Sequence, residues 1–476
     1  MDSEIAANRS SIFDYKSVKE IYHEIQEVYL RDHRPWVIGY SGGKDSTTAL
    51  QLIWYAILDL PEEQRQKKIY VISSDTLVET PVIIDYINDS LEKINEVAIQ
   101  SKMPFEAVKL TPIISESFWV NLIGRGYPAP SKTFRWCTDR LKIKTADRFI
   151  IDRVTQYGEV VVVLGVRKSE SATRAQVMNL HKIKDSVLSR HSRFPQAFVY
   201  TPIEDFSVDD VWSYLLQTPS PWGNNNRDLL ALYKSAQAGE CPLVVDDTTP
   251  SCGNSRFGCW VCTVVTKDKA MEALIDNGEE WLEPLLDFRN YLAETQIPDK
   301  KHLFREYKRM NGKVQYNRDG SGNIIRGPYK LEFCKELLTS LLQAQIQIRK
   351  NGPNPEFNLI LPEELHEIRR MWQMNRGDWQ DSLPEIYKEA IGEDLDWVKD
   401  DLGMFTSNED NLMDQICANH DVPLKLVKKL LEAERQVQGM SRRSSIYSKI
   451  DDILSEEWRS EEEFTKKNIS NLPAEV

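Results

Sequence analysis

Residues Trp36-Val-Ile-Gly-Tyr-Ser41-Gly42-Gly43-Lys44-Asp45-Ser46 constrain the fold more tightly than any other stretch of the chain. A short apolar run with strand character stops at two glycines, and helical periodicity begins near Ser46. A turn of this kind presents several backbone N–H groups at a helix N-terminus, where anions are favoured. Gly42 and Gly43 let the backbone come close to a ligand, Lys44 adds a positive charge, and Ser41 and Ser46 carry hydroxyl donors. The spacing G-x-x-x-x-G-K-[ST] is absent, and the compact Ser-Gly-Gly-x-Asp-Ser form suits pyrophosphate better than a γ-phosphate cradle.

Around this turn the sequence alternates strand-like and helical segments up to about residue 216. That pattern predicts an α/β fold with a mostly parallel, doubly wound sheet. Strands are expected at Trp36 to Tyr40, Ile69 to Ser73, Phe105 to Leu110, Glu159 to Val166 and Phe198 to Tyr200, with helices at Thr47 to Leu60 and Ile83 to Ser101. Residues 217–266 carry Pro219, Pro221, Gly223, three consecutive asparagines and a cysteine cluster; they read as a loop-rich insert. From 267 to 476 the periodicity is mainly helical, as in Lys330 to Lys350, Pro362 to Trp372, Ser382 to Ile391 and Leu424 to Gln436. Asn317 to Gly327 reads as a hairpin tip, and the acidic Gly392 to Asp410 and the Ser/Arg-rich Gly439 to Ser448 read as solvated linkers. The domains expected are therefore 1–216, 217–266 and 267–476. No stretch approaches the roughly 18 apolar residues a bilayer span needs, and the reading is a cytoplasmic protein without a membrane partner.

Seven cysteines in 476 residues are too few for a disulfide scaffold. Four lie between Cys241 and Cys262, and the spacing Cys252-x6-Cys259-x2-Cys262 offers three thiols to one metal centre. A fourth ligand is then needed, with Cys137 preferred and Cys241 its rival; the centre is read as a [4Fe-4S] cluster, with Zn²⁺ as the alternative. Cys334 and Cys417 fall on apolar helix faces and read as core. The net charge is −13, yet residues 132–193 hold 14 Lys or Arg against 6 Asp or Glu, a local basic excess that suits a polyanion. Within it, Lys182 to Arg193 reads as a flap or a surface loop.

The turn at Ser41 to Ser46 resembles the PP-loop of ATP pyrophosphatases, which cleave ATP between the α- and β-phosphates and adenylylate an acceptor. Ser74-Asp75-Thr76 with Glu79-Thr80-Pro81, Leu164-Gly165-Val166-Arg167 with Ser171 and Arg174, and Tyr200-Thr-Pro-Ile with Asp209-Asp-Val-Trp212-Ser-Tyr214 are similar to successive motifs of its phosphoadenylylsulfate (PAPS) reductase branch. The resemblance implies that Ser41, Gly42, Gly43, Lys44, Asp45, Ser46, Asp75 and Gly165 hold ATP and Mg²⁺, with Lys44, Asp45, Arg167 and Arg174 as catalytic candidates. On the residues alone, Asp75 has two readings, a ligand for Mg²⁺ or ribose and a helix N-cap. The same branch places a cluster cysteine at the position of Cys137, which gives Cys137, Cys252, Cys259 and Cys262 as metal ligands. One departure is Trp136-Cys137, where adenylylsulfate reductases carry a Cys-Cys pair; another is the absence of the Glu-Cys-Gly-x-x-His motif of cluster-free PAPS reductases.

With its long helical extension, the chain looks most like the DndC-type sulfurtransferases of bacterial DNA phosphorothioation. That resemblance implies ATP-dependent replacement of a non-bridging phosphate oxygen of DNA by sulfur, with release of AMP and pyrophosphate. Its implied partners are DNA, the other Dnd subunits and a cysteine desulfurase as sulfur donor. The rival expectations are an adenylylsulfate or PAPS reductase, a PP-loop tRNA thiolase, and a non-catalytic adaptor stapled by zinc.

Overall fold

The computed structural model describes residues 11–184, 186–236, 258–318, 322–397, 407–437 and 444–470. Helix α1 (Val18–Leu30) begins at Ser17, whose hydroxyl accepts from the Glu20 N–H while Glu20 accepts from the Ser17 N–H, a reciprocal cap. Its Ile21, Ile25 and Val28 then fall on one buried face. Next come β1 (Trp36–Gly39), α2 (Lys44–Leu58), β2 (Ile69–Ser74), α3 (Pro81–Gln100) and β3 (Phe105–Leu110). They are followed by α4 (Lys144–Tyr157), β4 (Val160–Val163), α5 (Ala172–Leu180), β5 (Ser189–Arg190), β6 (Ala197–Tyr200) and α6 (Val208–Gln217).

The six strands form one sheet in the order β3-β2-β1-β4-β6-β5. All pairs are parallel except β5–β6. Every residue of β1 and β4 is buried, as expected of parallel strands covered on both faces. The chain builds outward from β1 through β2 to β3, then returns to place β4 on the other flank of β1 (Trp36 opposite Ile69 on one side and Val161 on the other). Strand order therefore reverses between β1 and β4, and the crevice beyond their C-terminal ends is where an open α/β sheet receives a ligand.

The expected mostly parallel α/β sheet is present, and each of the five expected strands is found within three residues of its predicted ends. β4 is shorter than the Glu159 to Val166 expected, because its backbone leaves the ladder at Leu164. The expected flap Lys182 to Arg193 instead folds back, laying β5 along the sheet edge. The insert beginning at residue 217 also differs from expectation, since it contains helix α7 (Asn226–Ala236). Asn226 anchors α7 by exchanging amide bonds with Gln51 and donating to the carbonyls of Leu215 and Thr218. Its asparagines, read as turn formers, are used as anchors. Beyond it lie α8 (Lys269–Asp276) and α9 (Glu283–Glu294).

Two compact units result: residues 1–113 with 132–289, and residues 114–131 with 290–476. This division runs elsewhere than the composition shifts at 216 and 266. The second unit holds α10 (Lys301–Phe304), α11 (Leu331–Asn351), α12 (Pro362–Met371), α13 (Ser382–Ile391), α14 (Ser407–Asn419), α15 (Leu424–Val437), α16 (Ser444–Leu454) and α17 (Glu461–Ser470). Segment 114–131 belongs to it through a π-helical turn, Val120–Gly124, and two indole N–H bonds, Trp119 to the Leu359 carbonyl and Trp372 to that of Ile123. Cys334 and Cys417 are buried, as predicted. The flanks of the expected hairpin pair, Asn317 N–H donating to the Asn323 carbonyl and Ile325 N–H to that of Gln315, while residues 319–321 at its tip lie outside the described residues. In the Ser/Arg-rich stretch expected as a linker, Ser444 onward is helical. Residues 398–406 and 439–443 of the two expected linkers lie outside the described residues.

Glu364 sits in the first turn of α12, 1% exposed, and accepts from the Leu361 N–H. Burial pushes its carboxyl up to about 7. The folded unit thus holds a proton that the unfolded chain releases near pH 4.5, so stability is lost as pH rises through this window. The loss is at most roughly 3 kcal/mol. Glu364→Gln should raise the melting temperature relative to the unmodified chain at pH 8 more than at pH 5, read by thermal denaturation at both pH values.

Candidate functional site

The Ser41–Ser46 turn leaves the C-terminal end of β1 and enters α2, whose N-cap is Gly43. Gly42 has φ +71°, and a Cβ there would also press on Ile87 at 3.1 Å, so both backbone and packing ask for glycine. Ser46 Oγ donates to the Gly43 carbonyl at 3.0 Å and accepts from the Ser41 N–H at 3.2 Å; the two serine hydroxyls lie 3.1 Å apart. In this state the serines read as phosphate donors brace the turn. Gly43 supplies no side-chain cap, and the Lys44 N–H donates to the Tyr233 hydroxyl at 3.2 Å.

Three charges meet behind the turn. The Lys44 ammonium is 2.8 Å from Asp45 Oδ2, and the Arg167 guanidinium donates through Nε to Asp45 Oδ1 at 2.5 Å. Lys44 is 3% exposed and Arg167 is fully buried. Arg167 follows β4, so the ion network ties the two strands that flank the switch point. Its Nη1 also donates to Ser169 Oγ, which in turn donates to the Phe206 carbonyl. Gly165 explains how β4 approaches so closely: a Cβ there would lie 2.6 Å from the Asp45 carbonyl oxygen and 2.8 Å from Ser46 Cα. Arg174, on α5, pairs with Glu170, which itself accepts from the Arg167 N–H. Arg167 and Arg174, expected to grip phosphates, are thus both held by carboxylates.

Asp75 lies just past β2 and accepts from the Leu77 N–H at 2.8 Å, with Lys109 at 3.7 Å from its other oxygen. It shapes a turn in which Leu77 has φ +64°, while the N-cap of α3 is Thr80. Burial raises the Asp75 carboxyl pKa, and the Leu77 bond and Lys109 work against that. Asp45 and Asp75 are hard oxygen donors that suit Mg²⁺ in kind, but both oxygens of each have partners on the chain that the ion would displace.

The same β2–α3 loop carries the cysteine segment. Trp260 N–H donates to the Val78 carbonyl, and Thr80 donates through N–H and hydroxyl to the Gly258 carbonyl. Glu79 and Cys259 form an antiparallel bridge between these donors. The Cys259 thiol lies 3.3 Å from Thr76 Oγ1 and 3.6 Å from Glu79 Oε1, with Lys142 3.5 Å from the same oxygen. Cys137 sits where a π-helical turn, Thr138–Ile143, leads into α4. Burial, then the neighbouring Cys262, pushes the Cys137 thiol up to about 11. Burial and Glu79 raise that of Cys259.

Cys137, Cys259 and Cys262 are therefore neighbours in a half-buried, sulfur-rich corner, a donor set that suits a soft metal centre in kind. Among the described residues, however, no three His, Cys, Asp or Glu side chains are gathered closely enough to hold a metal ion. Cys252 and Cys241 lie outside the described residues. Arg289, which the sequence reading passed over, is 1% exposed and donates to the carbonyls of Cys262, Val265 and Thr266, fixing the exit from the corner. Tyr233, Thr76 and Glu79 were likewise missed as site residues. Glu79-Thr80-Pro81 was legible as a motif, but nothing in the sequence paired it with Cys259.

The basic stretch is partly neutralised within the fold. Lys142 pairs with Glu79, Lys168 with Glu204 and Asp205, Lys182 with Glu204, and Arg193 with Asp147. His191 is half-buried, its Nδ1 accepting from the Arg193 and Phe194 N–H groups. Burial and Arg193 lower its pKa to about 4, which keeps it neutral.

Residues 35–265 match the phosphoadenosine phosphosulfate reductase domain, and residues 409–455 match Sp-DndD, a small protein found in certain Dnd DNA modification systems. The chain is 25% identical over 309 residues to Uncharacterized protein MJ0066 of Methanocaldococcus jannaschii, across 64% of this chain and 52% of that protein. The match thus spans about half the length of this curated relative. Among solved structures, the U34-tRNA thiolase NcsA from Methanococcus maripaludis with its [4Fe-4S] cluster is similar at 13% identity and TM-score 0.28, over 59% of this chain and 82% of that one. The FMN adenylyltransferase of Candida glabrata in complex with FAD and inorganic pyrophosphate is similar at 14% identity and TM-score 0.26, over 45% of this chain and 61% of that one. NH3-dependent NAD synthetase from Campylobacter jejuni is similar at 11% identity and TM-score 0.26, over 59% and 95%. Among the described residues no helix is long and apolar enough to cross a membrane.

Because the atoms a Gly165 Cβ would strike are backbone, Gly165→Ala should destabilise the first unit by about 1–3 kcal/mol, the usual range for overpacking. Thermal denaturation of the full chain measures it.

Proposed function

We propose that the chain is the ATP-dependent sulfurtransferase of a DNA phosphorothioation system. The observation that carries this reading is the presence in one chain of a PAPS reductase domain and a segment matching a small protein of Dnd DNA modification systems. Neither alone selects DNA as the acceptor.

In the proposed reaction a non-bridging oxygen of a DNA backbone phosphate attacks the α-phosphorus of ATP. The α–β bond breaks and pyrophosphate leaves, giving a mixed anhydride between the DNA phosphate and AMP. Persulfide sulfur from a cysteine desulfurase, brought to the sulfide level by two electrons from a thiol reductant that cleaves its S–S bond, then attacks the DNA phosphorus, and AMP departs with the oxygen. Adenylylation makes possible the loss of an oxygen that is otherwise a poor leaving group.

The turn N–H groups at the start of α2 and Lys44 stabilise charge on the departing pyrophosphate. Asp45 holds Lys44 and Arg167 in place from below the turn. We assign Cys137, Cys252, Cys259 and Cys262 to a [4Fe-4S] centre, which when bound would hold or position sulfur beside the activated phosphate. Glu79 and Thr76 orient Cys259 toward that corner.

The decisive experiment is mass spectrometry of nuclease-digested DNA from cells with and without the gene, in which sulfur-bearing dinucleotides should depend on the intact chain. Lys44→Ala should abolish both pyrophosphate release and sulfur incorporation. Cys262→Ser should abolish incorporation and spare pyrophosphate release; sulfur incorporation retained by either variant contradicts the assignment. A reductase would instead release sulfite from a nucleotide sulfate without consuming ATP. With a net charge of −13 and much of its basic stretch paired internally, the isolated chain should bind duplex DNA weakly, as read by a salt titration of binding.

A further inference from the structure

Tyr233 reaches the phosphate turn from α7, an element that belongs to none of the sheet motifs. Its hydroxyl oxygen accepts from the Lys44 N–H at 3.2 Å, the first N–H of α2 and one that a bound phosphate oxygen would need. That oxygen lies 3.0 Å from the position a Cβ on residue 43 would take, so glycine at 43 is what admits it. The tyrosine ring lies 5.4 Å below the Lys44 ammonium and packs edge-on against Trp212 at 5.3 Å. α7 is pinned at its other end, where Asn226 is locked to Gln51 and to the carbonyls of Leu215 and Thr218. The phenol is thus delivered to the turn by a fixed arm. Immediately after α7 the chain enters residues 237–257, which contain Cys241 and Cys252.

We propose that the Tyr233 hydroxyl stands in for a phosphate oxygen at the start of α2, and that the pyrophosphate moiety of a nucleotide binds by displacing it. Tyr233 is then a positioning residue that couples occupancy of the turn to the last turn of α7. The idea rests on the nucleotide reading of the Ser41–Ser46 turn and adds to it a competitor built into the chain. A phenol oxygen accepts one hydrogen bond from the Lys44 N–H without bringing charge, whereas a phosphate oxygen brings negative charge to the same donor. The ligand therefore wins the exchange, at the cost of the bond it replaces.

The test uses the full chain and inorganic pyrophosphate, then ATP, by calorimetric titration. Tyr233→Phe keeps the ring against Trp212 and beneath Lys44 and removes only the competing oxygen. It should bind pyrophosphate more tightly, by roughly three- to ten-fold, the range one net hydrogen bond carries. Equal or weaker affinity overturns the proposal, because a direct phosphate donor or an inert packing residue would give that result. In the unmodified chain, hydrogen exchange of the last turn of α7 should quicken when pyrophosphate is added; an unchanged or slower rate overturns the proposal independently of the variant. If neither chain binds pyrophosphate or ATP, the nucleotide reading of the turn falls, and the proposal with it. If both bind equally and Lys44→Ala abolishes binding, that reading stands and only the role of Tyr233 fails.

Discussion

The site depends first on one carboxylate. Asp45 accepts from Lys44 on one oxygen and from Arg167 on the other, and neither cation has appreciable contact with solvent. Buried ion pairs do not of themselves add much stability, since desolvation offsets attraction, but removing one member strands a charge at a cost of about 3–5 kcal/mol. Here the members come from both sides of the switch point. The network therefore fixes the distance between the start of α2 and the end of β4. It also holds Lys44 and Arg167 near a helix N-terminus, whose backbone N–H groups contribute about half a positive charge. The same interaction that holds the crevice together thus keeps cationic groups where an anion would be favoured.

A second constraint acts on the cysteines. A short segment without regular secondary structure cannot hold thiols in place by itself, and here it borrows order from the β2–α3 loop. Backbone bonds at Val78, Thr80 and Gly258 clip the two strands of chain together, and Glu79 spans Cys259, Thr76 and Lys142. Arg289 then gathers three consecutive stretches of carbonyl beyond Cys262. Glu79 accepts from the Thr76 hydroxyl at 2.9 Å, so its charge is met by several donors in a buried setting. The placement of Cys259 follows from the loop after the second strand, and so from the sheet.

What the sequence disclosed and what it withheld divide along physical lines. The sheet was legible because parallel strands buried on both faces read as continuous apolar runs, as β1, β2 and β4 largely do, whereas β3 at the sheet edge carries Glu106 and Lys109 and is only partly buried. The turn was legible because glycines, lysine and serines fall together in a local stretch. Asn226 and Tyr233 were hidden because their meaning is tertiary: an asparagine next to proline and glycine reads as a turn former unless Gln51 is known to face it. Arg167 was found through the Leu164-Gly165-Val166-Arg167 motif, yet its burial and its bond to Asp45, more than a hundred residues away in the chain, have no local signature. The same holds for segment 114–131, whose Trp119 indole donates to the Leu359 carbonyl and whose Ile123 carbonyl accepts from the Trp372 indole, contacts that assign it to the second unit.

These two constraints bear on the order of events at the site. The Ser41–Ser46 turn follows β1 and its brace follows β4, while the segment 258–262 that carries Cys259 bonds to the loop after β2, so all three lie at the C-terminal ends of these parallel strands. In the proposed reaction, activation of an oxygen and delivery of sulfur are separate chemical steps, and an activated phosphate released to water between them is open to hydrolysis. Placing both functions at one edge avoids a free intermediate. A sheet whose adjacent strands end in the Ser41–Ser46 turn and in a loop that clips the cysteine segment meets that requirement through topology alone. No motion of one compact unit against the other is needed for it, because both loops belong to the first unit.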